Sequence, residues 1–257
     1  MLEIKNLKIK IKNGDIILEN INLIMESGKA YVLSGRNGSG KSSLLSAIMG
    51  HPNYEVAEGE MCINDKKSLE TKDDHKESEI VNTKETIKID NNSVISSANA
   101  GIYMTMQIVP EIEGVTLIQL LHKAVNKKSK IIFNKDNEGQ NNSNEINILD
   151  LNKQLIKYCE DFSIDKSFIS RDLNYKMSGG EKKQAELLHL LALKPKYILI
   201  DEIDSGVDRE SIEKIYKVLK YLQEENDSSL LIVSHHTNVN EYLNVEKTYT
   251  LENKTVV

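Results

Sequence analysis

The stretch Gly35-Arg36-Asn37-Gly38-Ser39-Gly40-Lys41-Ser42 constrains this chain more than any other, because it fits the spacing G-x-x-x-x-G-K-[ST] at every fixed position. Ala30-Tyr31-Val32-Leu33 before it reads as a short buried strand. Lys41 to about Gly50 after it reads as a helix whose Leu44, Leu45 and Ile48 face inward. Strand, glycine-rich loop and helix in that order open a parallel α/β unit. The glycines let backbone N–H groups converge on phosphate oxygens, and the helix N-terminus adds its dipole. Lys41 is suited to neutralising β- and γ-phosphate charge, the Ser42 hydroxyl to holding Mg2+, and Ser43 follows in the first turn. A nucleotide's phosphates and Mg2+ are the ligands this pattern predicts.

The rest of the chain sets that loop in context. From Leu2 to Ile24 apolar residues alternate around an Asn13-Gly14-Asp15 turn, which predicts antiparallel strands. Gly101 to Leu121 reads as a strand, a Pro-containing turn and a short helix. Asp150 to Phe162 is predicted helical, with Leu151, Leu155, Ile156 and Cys159 on one face. Then come a helix over Gly180–Leu193, a strand over Tyr197–Ile200, an amphipathic helix over Ser211–Glu224 and a strand over Leu230–Val233. Lys66 to Ser97 and about Asn126 to Asn147 are rich in Lys, Asp, Glu, Asn and Ser, and are expected to be long, mobile, solvated loops.

Composition excludes several classes. Lys and Arg number 33 against 39 Asp and Glu, a net charge of −6 with no long basic block, so no nucleic acid is expected as a general partner. No run reaches the roughly 18 apolar residues a membrane helix needs, so no direct membrane insertion is expected. Met1-Leu2-Glu3-Ile4 leads straight into the alternating pattern, which does not read as a targeting peptide; a cytoplasmic location is expected, or the plastid stroma for a plastid-bearing source. Cys62 and Cys159 stand far apart without a second Cys or His at ligand spacing and are expected to be reduced structural thiols.

A second stretch pairs with the first. Tyr197-Ile198-Leu199-Ile200 is an apolar strand that ends in Asp201-Glu202. Carboxylates at the C-terminal end of a parallel strand stand where such sheets meet ligand. Asp201 is suited to holding Mg2+ through water and Glu202 to serving as general base for the attacking water.

Met177-Ser178-Gly179-Gly180-Glu181-Lys182-Lys183-Gln184 resembles the signature motif of ATP-binding cassette (ABC) ATPases, with Met177 where Leu is usual. Taken without the family, Ser-Gly-Gly-Glu is a helix cap with an acid in the first turn. The other family elements follow in order: Gln107 after a strand at the Q-loop position, Ser205-Gly206-Val207-Asp208 as the D-loop, and His235, rather than the adjacent His236, as the switch histidine. The resemblance implies an α/β fold, an ABC-type P-loop NTPase with a mixed sheet core, an antiparallel β subdomain and a helical signature-bearing subdomain. It implies one domain over residues 1–257, with a core lobe at about 1–106 and 194–257 and the helical subdomain at about 108–193. It further implies two ATP molecules sandwiched in a nucleotide-dependent homodimer, each between one copy's Gly35–Ser43 and the other copy's Ser178, Gly179 and Gly180, with Asp208 crossing the interface. Glu202, His235 and Gln107 would be catalytic, and Ser42, Gln107 and Asp201 would hold the metal.

The resemblance narrows to the SufC family, the ATPases of the SUF iron–sulfur cluster assembly system. It rests on Tyr54-Glu55-Val56 before Gly59, Gly101-Ile102-Tyr103-Met104 leading to Gln107, Glu111-Ile112 with Gly114-Val115, and Arg171 and Asn174 before the signature. Gly206 stands where transporter cassettes usually carry Ala. The partners this implies are SufB- and SufD-like scaffold proteins; the alternative is the nucleotide-binding subunit of an ABC membrane transporter. One departure is that no aromatic residue stands near Lys12 and Asn13, where many transporter cassettes stack adenine.

Overall fold

The structure, a computed structural model, describes residues 1–70, 80–105, 110–136, 145–203, 206–234 and 239–257, with backbone alone at 65–70, 80–85 and 130–136. The first half runs β1 (Leu2–Ile11), β2 (Ile16–Met25), β3 (Ala30–Ser34), α1 (Lys41–Ile48), β4 (Tyr54–Glu70), β5 (Ile80–Ile89), α2 (Val94–Asn99), β6 (Ile102–Met104), β7 (Ile112–Thr116) and α3 (Leu117–Asp136). The second runs α4 (Ile148–Phe162), β8 (Asp172–Leu173), α5 (Gly179–Leu193), β9 (Tyr197–Asp201), α6 (Arg209–Glu225), β10 (Ser229–Val233), α7 (Val239–Tyr242), β11 (Val245–Glu252) and β12 (Thr255–Val256).

Residues 1–27, 34–100 and 249–257 form one compact unit. Its frame is an antiparallel sheet in the order β2-β1-β4-β5. The alternation in the sequence sets the register, with Leu2 opposite Met25, Ile4 opposite Leu23, Leu7 opposite Ile21 and Ile9 opposite Leu18, all of them buried. The other face carries charge in cross-strand pairs, Lys8 to Glu58 at 2.8 Å, Lys10 to Glu55 at 3.1 Å and Lys88 to Glu60 at 2.9 Å. Exposed pairs of this kind contribute about 0.2–1 kcal/mol each and matter chiefly for register. The chain's end joins the same unit, because the Tyr249 hydroxyl donates to the Ile24 carbonyl (2.9 Å) and accepts from the Ile24 N–H (3.2 Å).

Residues 28–33 and 101–248 form the second unit. Its parallel strands stand in the order β3-β10-β9-β6, with Leu230 opposite Ala30, Val233 opposite Asp201 and Ile102 opposite Tyr197. Tyr197–Ile200 and Leu230–Val233 are buried throughout, the continuous apolar run expected of parallel strands covered on both faces. Parallel direction puts the carboxyl ends of β3, β10, β9 and β6 on one edge, the edge from which open α/β sheets send their ligand loops. Helix α4 buries Leu151, Leu155, Cys159 and Phe162, α5 buries Leu187, Leu188, Leu190 and Leu191, and α6 buries Ile215, Val218, Leu219 and Leu222. These side chains join one apolar cluster with Ile198, Ile200, Leu230 and Ile232. Cys62 and Cys159 are both buried free thiols, and among the described residues no helix is long and apolar enough to cross a membrane.

Two expectations need correction. Much of Lys66–Ser97 is regular: β4 continues to Glu70 and pairs with β5 from Met61↔Ile89 to Glu70↔Ile80, and α2 follows with Ser93 as its cap. Strand pairing does not require an apolar period, since backbone bonds between the strands and cross-strand polar contacts, such as Thr86 Oγ1 to Asn64 Oδ1 at 2.8 Å, also stabilise it. Asn126–Asn147 likewise begins as helix, because α3 runs on to Asp136. Lys is a good helix former, so a charged run is compatible with continuation. Buried Asn126 ties the chain's return, its amide donating to the Ile146 carbonyl (3.2 Å) and accepting from the Ile146 N–H (2.8 Å).

Gly59, inside β4, carries the closest backbone approach among the glycines of the first unit. Its φ is +91°, and a Cβ there would lie 2.5 Å from the carbonyl oxygens of Lys5 and Asn6, beside the β1 bulge. Gly59→Ala is therefore expected to destabilise the fold by about 2–4 kcal/mol. A melting temperature equal to wild type would contradict that reading.

Candidate functional site

The loop that leaves β3 closes on itself before α1. The Ser39 N–H donates to the Arg36 carbonyl (3.1 Å), the Leu44 N–H donates to the Gly40 carbonyl (2.8 Å), and Gly38 and Gly40 take left-handed φ values of 78° and 102°. Gly40 caps α1 without a side-chain hydrogen bond, and the first turn holds no acid. The partial positive charge at this N-terminus is therefore offset neither by a capping side chain nor by an acid in the helix's own first turn. Lys41 is only 8% exposed, and its Nζ donates to the carbonyls of Gly35 (2.8 Å) and Arg36 (3.1 Å), so the ammonium is held inside the loop.

Ser39 supplies the test of ligand fit. Its Oγ is buried without a hydrogen-bond partner among the described residues. A buried hydroxyl left in that state costs about 1–3 kcal/mol. An acceptor oxygen entering the loop would satisfy it, next to an ammonium and an uncompensated helix end; a phosphate fits all three. Ser43 contributes differently from its neighbours, since its hydroxyl donates to the Tyr54 hydroxyl at 3.3 Å.

In the second unit, β9 ends in Asp201, which is 5% exposed and lies opposite Val233. The Asp201 N–H donates to Thr105 Oγ1 (3.2 Å), and the Thr105 N–H donates to the Leu199 carbonyl (2.9 Å). Buried Thr105 thus extends the pairing of β6 along β9 to the strand's end, a role that one hydroxyl residue after a three-residue strand did not announce. Glu202 follows at φ 52°, its N–H donating to the Val233 carbonyl (3.0 Å). The left-handed backbone turns the chain out of the sheet directly after Asp201.

The N-terminus of α5 is built in the opposite way to that of α1. Ser178 Oγ accepts from the Glu181 N–H (3.3 Å), and Glu181 Oε2 accepts from the Ser178 N–H (2.7 Å), a complete capping box. Glu181 Oε1 accepts from Arg171 Nη1 at 2.8 Å. The approach to this helix is tied to the segment before α3: Asn174 Nδ2 donates to the Pro110 carbonyl (2.9 Å), Lys182 pairs with Glu111 (2.6 Å), and the Gly114 N–H donates to Asp172 Oδ2 (2.9 Å). At Gly179 and Gly180 a Cβ would meet nothing within 4 Å among the described residues, so this face is open. The Ser-x-x-Glu spacing was the signal for the cap, whereas nothing in the spacing of Arg171 showed that it would hold Glu181.

Asp208 serves within its own chain as the cap of α6, accepting from the Ser211 N–H (3.0 Å) and the Ser211 hydroxyl (2.8 Å). Gln107 and His235 lie outside the described residues, as do Ser205 and His236. Among the described residues no three His, Cys, Asp or Glu side chains converge as a metal cage. Ser42 and Asp201 offer a hydroxyl and a carboxylate, hard oxygen donors of the kind Mg2+ takes alongside phosphate and water.

The hydrogen bond from Arg171, then those from Ser178, hold the Glu181 carboxyl down at about 2 from an ordinary 4.5. A depressed folded-state value stabilises the fold above the ordinary pKa, and that contribution is lost as pH falls from about 4.5 toward about 2. Wild type is thus expected to lose its margin over Glu181→Gln across that window. Parallel melting curves of the two proteins down to about pH 3 check this.

Comparison with known proteins agrees with the geometry. The family described as ABC transporter matches residues 18–205. Among curated relatives, vegetative protein 296 of Bacillus subtilis (strain 168) is 33% identical over 239 residues, 93% of this chain and 79% of that protein. The probable ATP-dependent transporter ycf16 of Cyanidium caldarium is 30% identical over 257 residues, 100% of this chain and 89% of that protein. Of solved structures, the dimeric MJ0796, a bacterial ABC transporter cassette, superimposes with a TM-score of 0.69 at 22% identity, covering 100% of this chain and 96% of that one. A second structure of that cassette, a post-hydrolysis state bound to ADP and Pi, gives 0.68 at the same identity and coverage. Loop, strand-end carboxylates and capped signature helix thus sit on a fold shared along the whole chain, and the chain belongs to the ABC transporter family.

Proposed function

We propose that this chain is a Mg2+-dependent ATP-binding and ATP-hydrolysing subunit that acts as a nucleotide-dependent dimer and drives conformational change of a SufB/SufD-like scaffold in iron–sulfur cluster assembly. The observation that carries the nucleotide part is the loop around Lys41, where a buried ammonium, an orphaned Ser39 hydroxyl and an uncapped helix end leave a place suited to a polyphosphate.

In this reading Gly35–Gly40 wrap the phosphates with backbone N–H groups, and Lys41 offsets charge on the β- and γ-phosphate oxygens. Ser42, Asp201 and Gln107 hold Mg2+, which when bound neutralises charge developing on the transferred phosphoryl group. Glu202 orients a water and takes its proton as the water oxygen bonds to the γ-phosphorus; the bond to the bridging oxygen breaks and ADP leaves. His235 contacts the γ-phosphate, and Gln107 links nucleotide state to the partner surface. Ser178, Gly179 and Gly180 of a second copy complete the site, and Asp208 places the D-loop at the interface.

The scaffold part rests on Gly206 within the D-loop and on residues outside the general ABC motifs. Gly206 adopts φ +68°, a left-handed conformation that the Ala usual in transporter cassettes would resist. Arg171 and Asn174 have defined roles beside the signature helix, as their hydrogen bonds to Glu181 and Pro110 attest. The second reading, a nucleotide-binding subunit of a membrane transporter, is favoured by the transporter names of relatives such as the probable ABC transporter ATP-binding protein of Streptococcus pyogenes, 30% identical over 243 residues.

Glu202→Gln is expected to keep MgATP binding while turnover falls by about a hundredfold or more, measured by single-turnover hydrolysis. Unchanged turnover would remove Glu202 from the chemistry. Affinity purification of the tagged chain from its own source separates the two readings: SufB- or SufD-like proteins are expected, and recovery of membrane-spanning subunits alone would transfer the assignment to transport.

A further inference from the structure

A γ-phosphate needs a positive, open helix end, and α5 carries a full negative charge in its first turn. The Glu181 carboxylate sits 2.7 Å from the Ser178 N–H. The end of a helix is worth only about half a positive charge. Left alone, the acid that shapes the cap would outweigh the dipole that attracts the phosphate. Helix α1 avoids the conflict by having no first-turn acid.

Arg171 is placed to resolve it. Its Nη1 donates to Glu181 Oε1 at 2.8 Å, on the carboxylate oxygen that the capping box does not use. The residue is held in turn. Its N–H donates to the Ser167 carbonyl (3.2 Å), its carbonyl accepts from the Leu117 N–H (3.1 Å), and its guanidinium lies 5.6 Å from the centre of the buried Phe168 ring. Two other nearby cations are directed elsewhere: Lys182 pairs with Glu111 at 2.6 Å, and Lys176 lies 4.7 Å from the Tyr175 ring centre.

We infer that Arg171 is a positioning residue that neutralises Glu181, so that the capping box holds the N-terminus of α5 in shape while leaving it attractive to the γ-phosphate of ATP bound by a second copy of this chain. The inference rests on the two-copy reading above and adds to it a residue that touches no nucleotide. The open face at Gly179 and Gly180 is where the phosphate would approach, and their N–H groups lie outside the reciprocal bonds of the box.

The test uses the full chain with Glu202→Gln as parent and follows MgATP-dependent dimerisation by sedimentation velocity. Adding Arg171→Ala is expected to weaken dimerisation about tenfold. Adding Glu181→Gln to that double variant is expected to restore it to within about threefold of the parent, because the charge that needed neutralising is gone. A merely structural arginine would show no such rescue. A parent that dimerises while Arg171→Ala changes nothing, or a triple variant as weak as the double, overturns the role of Arg171 alone. A parent that stays monomeric with MgATP overturns the two-copy reading and this inference with it. Should Arg171→Ala fail to fold, Arg171→Lys and Arg171→Gln carry the same contrast. Lys is expected to retain dimerisation and Gln to lose it, and equal behaviour of the two overturns the role.

Discussion

Burying an ammonium obliges the surrounding chain to supply oxygen, and Lys41 imposes that obligation on the loop at the end of β3. With Lys41 at 8% exposure, the carbonyls of Gly35 and Arg36 must turn toward its Nζ. Left-handed φ values at Gly38 and Gly40 keep the loop tight enough to meet α1. Carbonyls so directed leave neighbouring N–H groups to point elsewhere, and the helix end stands uncapped beside them. Cation, loop shape and anion receptivity are thus one arrangement, and shortening the loop or capping α1 would disturb all three.

The N-termini of α1 and α5 show how the same physics gives two different constructions. In α1 receptivity comes from leaving the terminus bare. In α5 order comes first: Ser178 and Glu181 fix the first turn, Asn174 and Asp172 fix its approach, and Arg171 balances the acid that the cap requires. A bare terminus is cheap where the preceding strand already aims the chain. The signature helix follows the two-residue strand β8 and a loop with left-handed residues at Asn174 and Lys176, so its direction has to be set by side chains.

Much of this is legible in the sequence. The strand, loop and helix around Lys41, the alternation in β1 and β2 and the apolar runs of β9 and β10 each carry a period or spacing with one physical reading, and each formed where expected. What escaped were features whose cause is a partner distant in sequence. The β4–β5 hairpin is held by cross-strand pairs such as Lys88 with Glu60, which look like solvated charge when read singly. Helix α3 carries its length through a Lys-rich stretch that composition alone assigns to a loop. Thr105 matters because of the strand end it meets 96 residues away and no local pattern marks it, while Arg171 was singled out by the resemblance alone, its pairing with the carboxylate 10 residues away going unannounced.

The way Tyr249 fastens β2 also bears on the order in which the molecule can be assembled during synthesis. The unit that holds the Lys41 loop is completed by residues 249–257, whose contacts reach back to the start of the chain: Tyr249 to Ile24, the Lys254 carbonyl to the Glu19 N–H at 2.9 Å, and Lys254 Nζ to the Ile16 carbonyl at 3.1 Å. On a ribosome those bonds wait until Tyr249 and Lys254 have left the exit tunnel, by which time every strand of the other unit has been made. Closure of the loop-bearing unit is therefore a late event with a large sequence separation. A nascent chain cannot finish that unit before the strands of the other unit have been made.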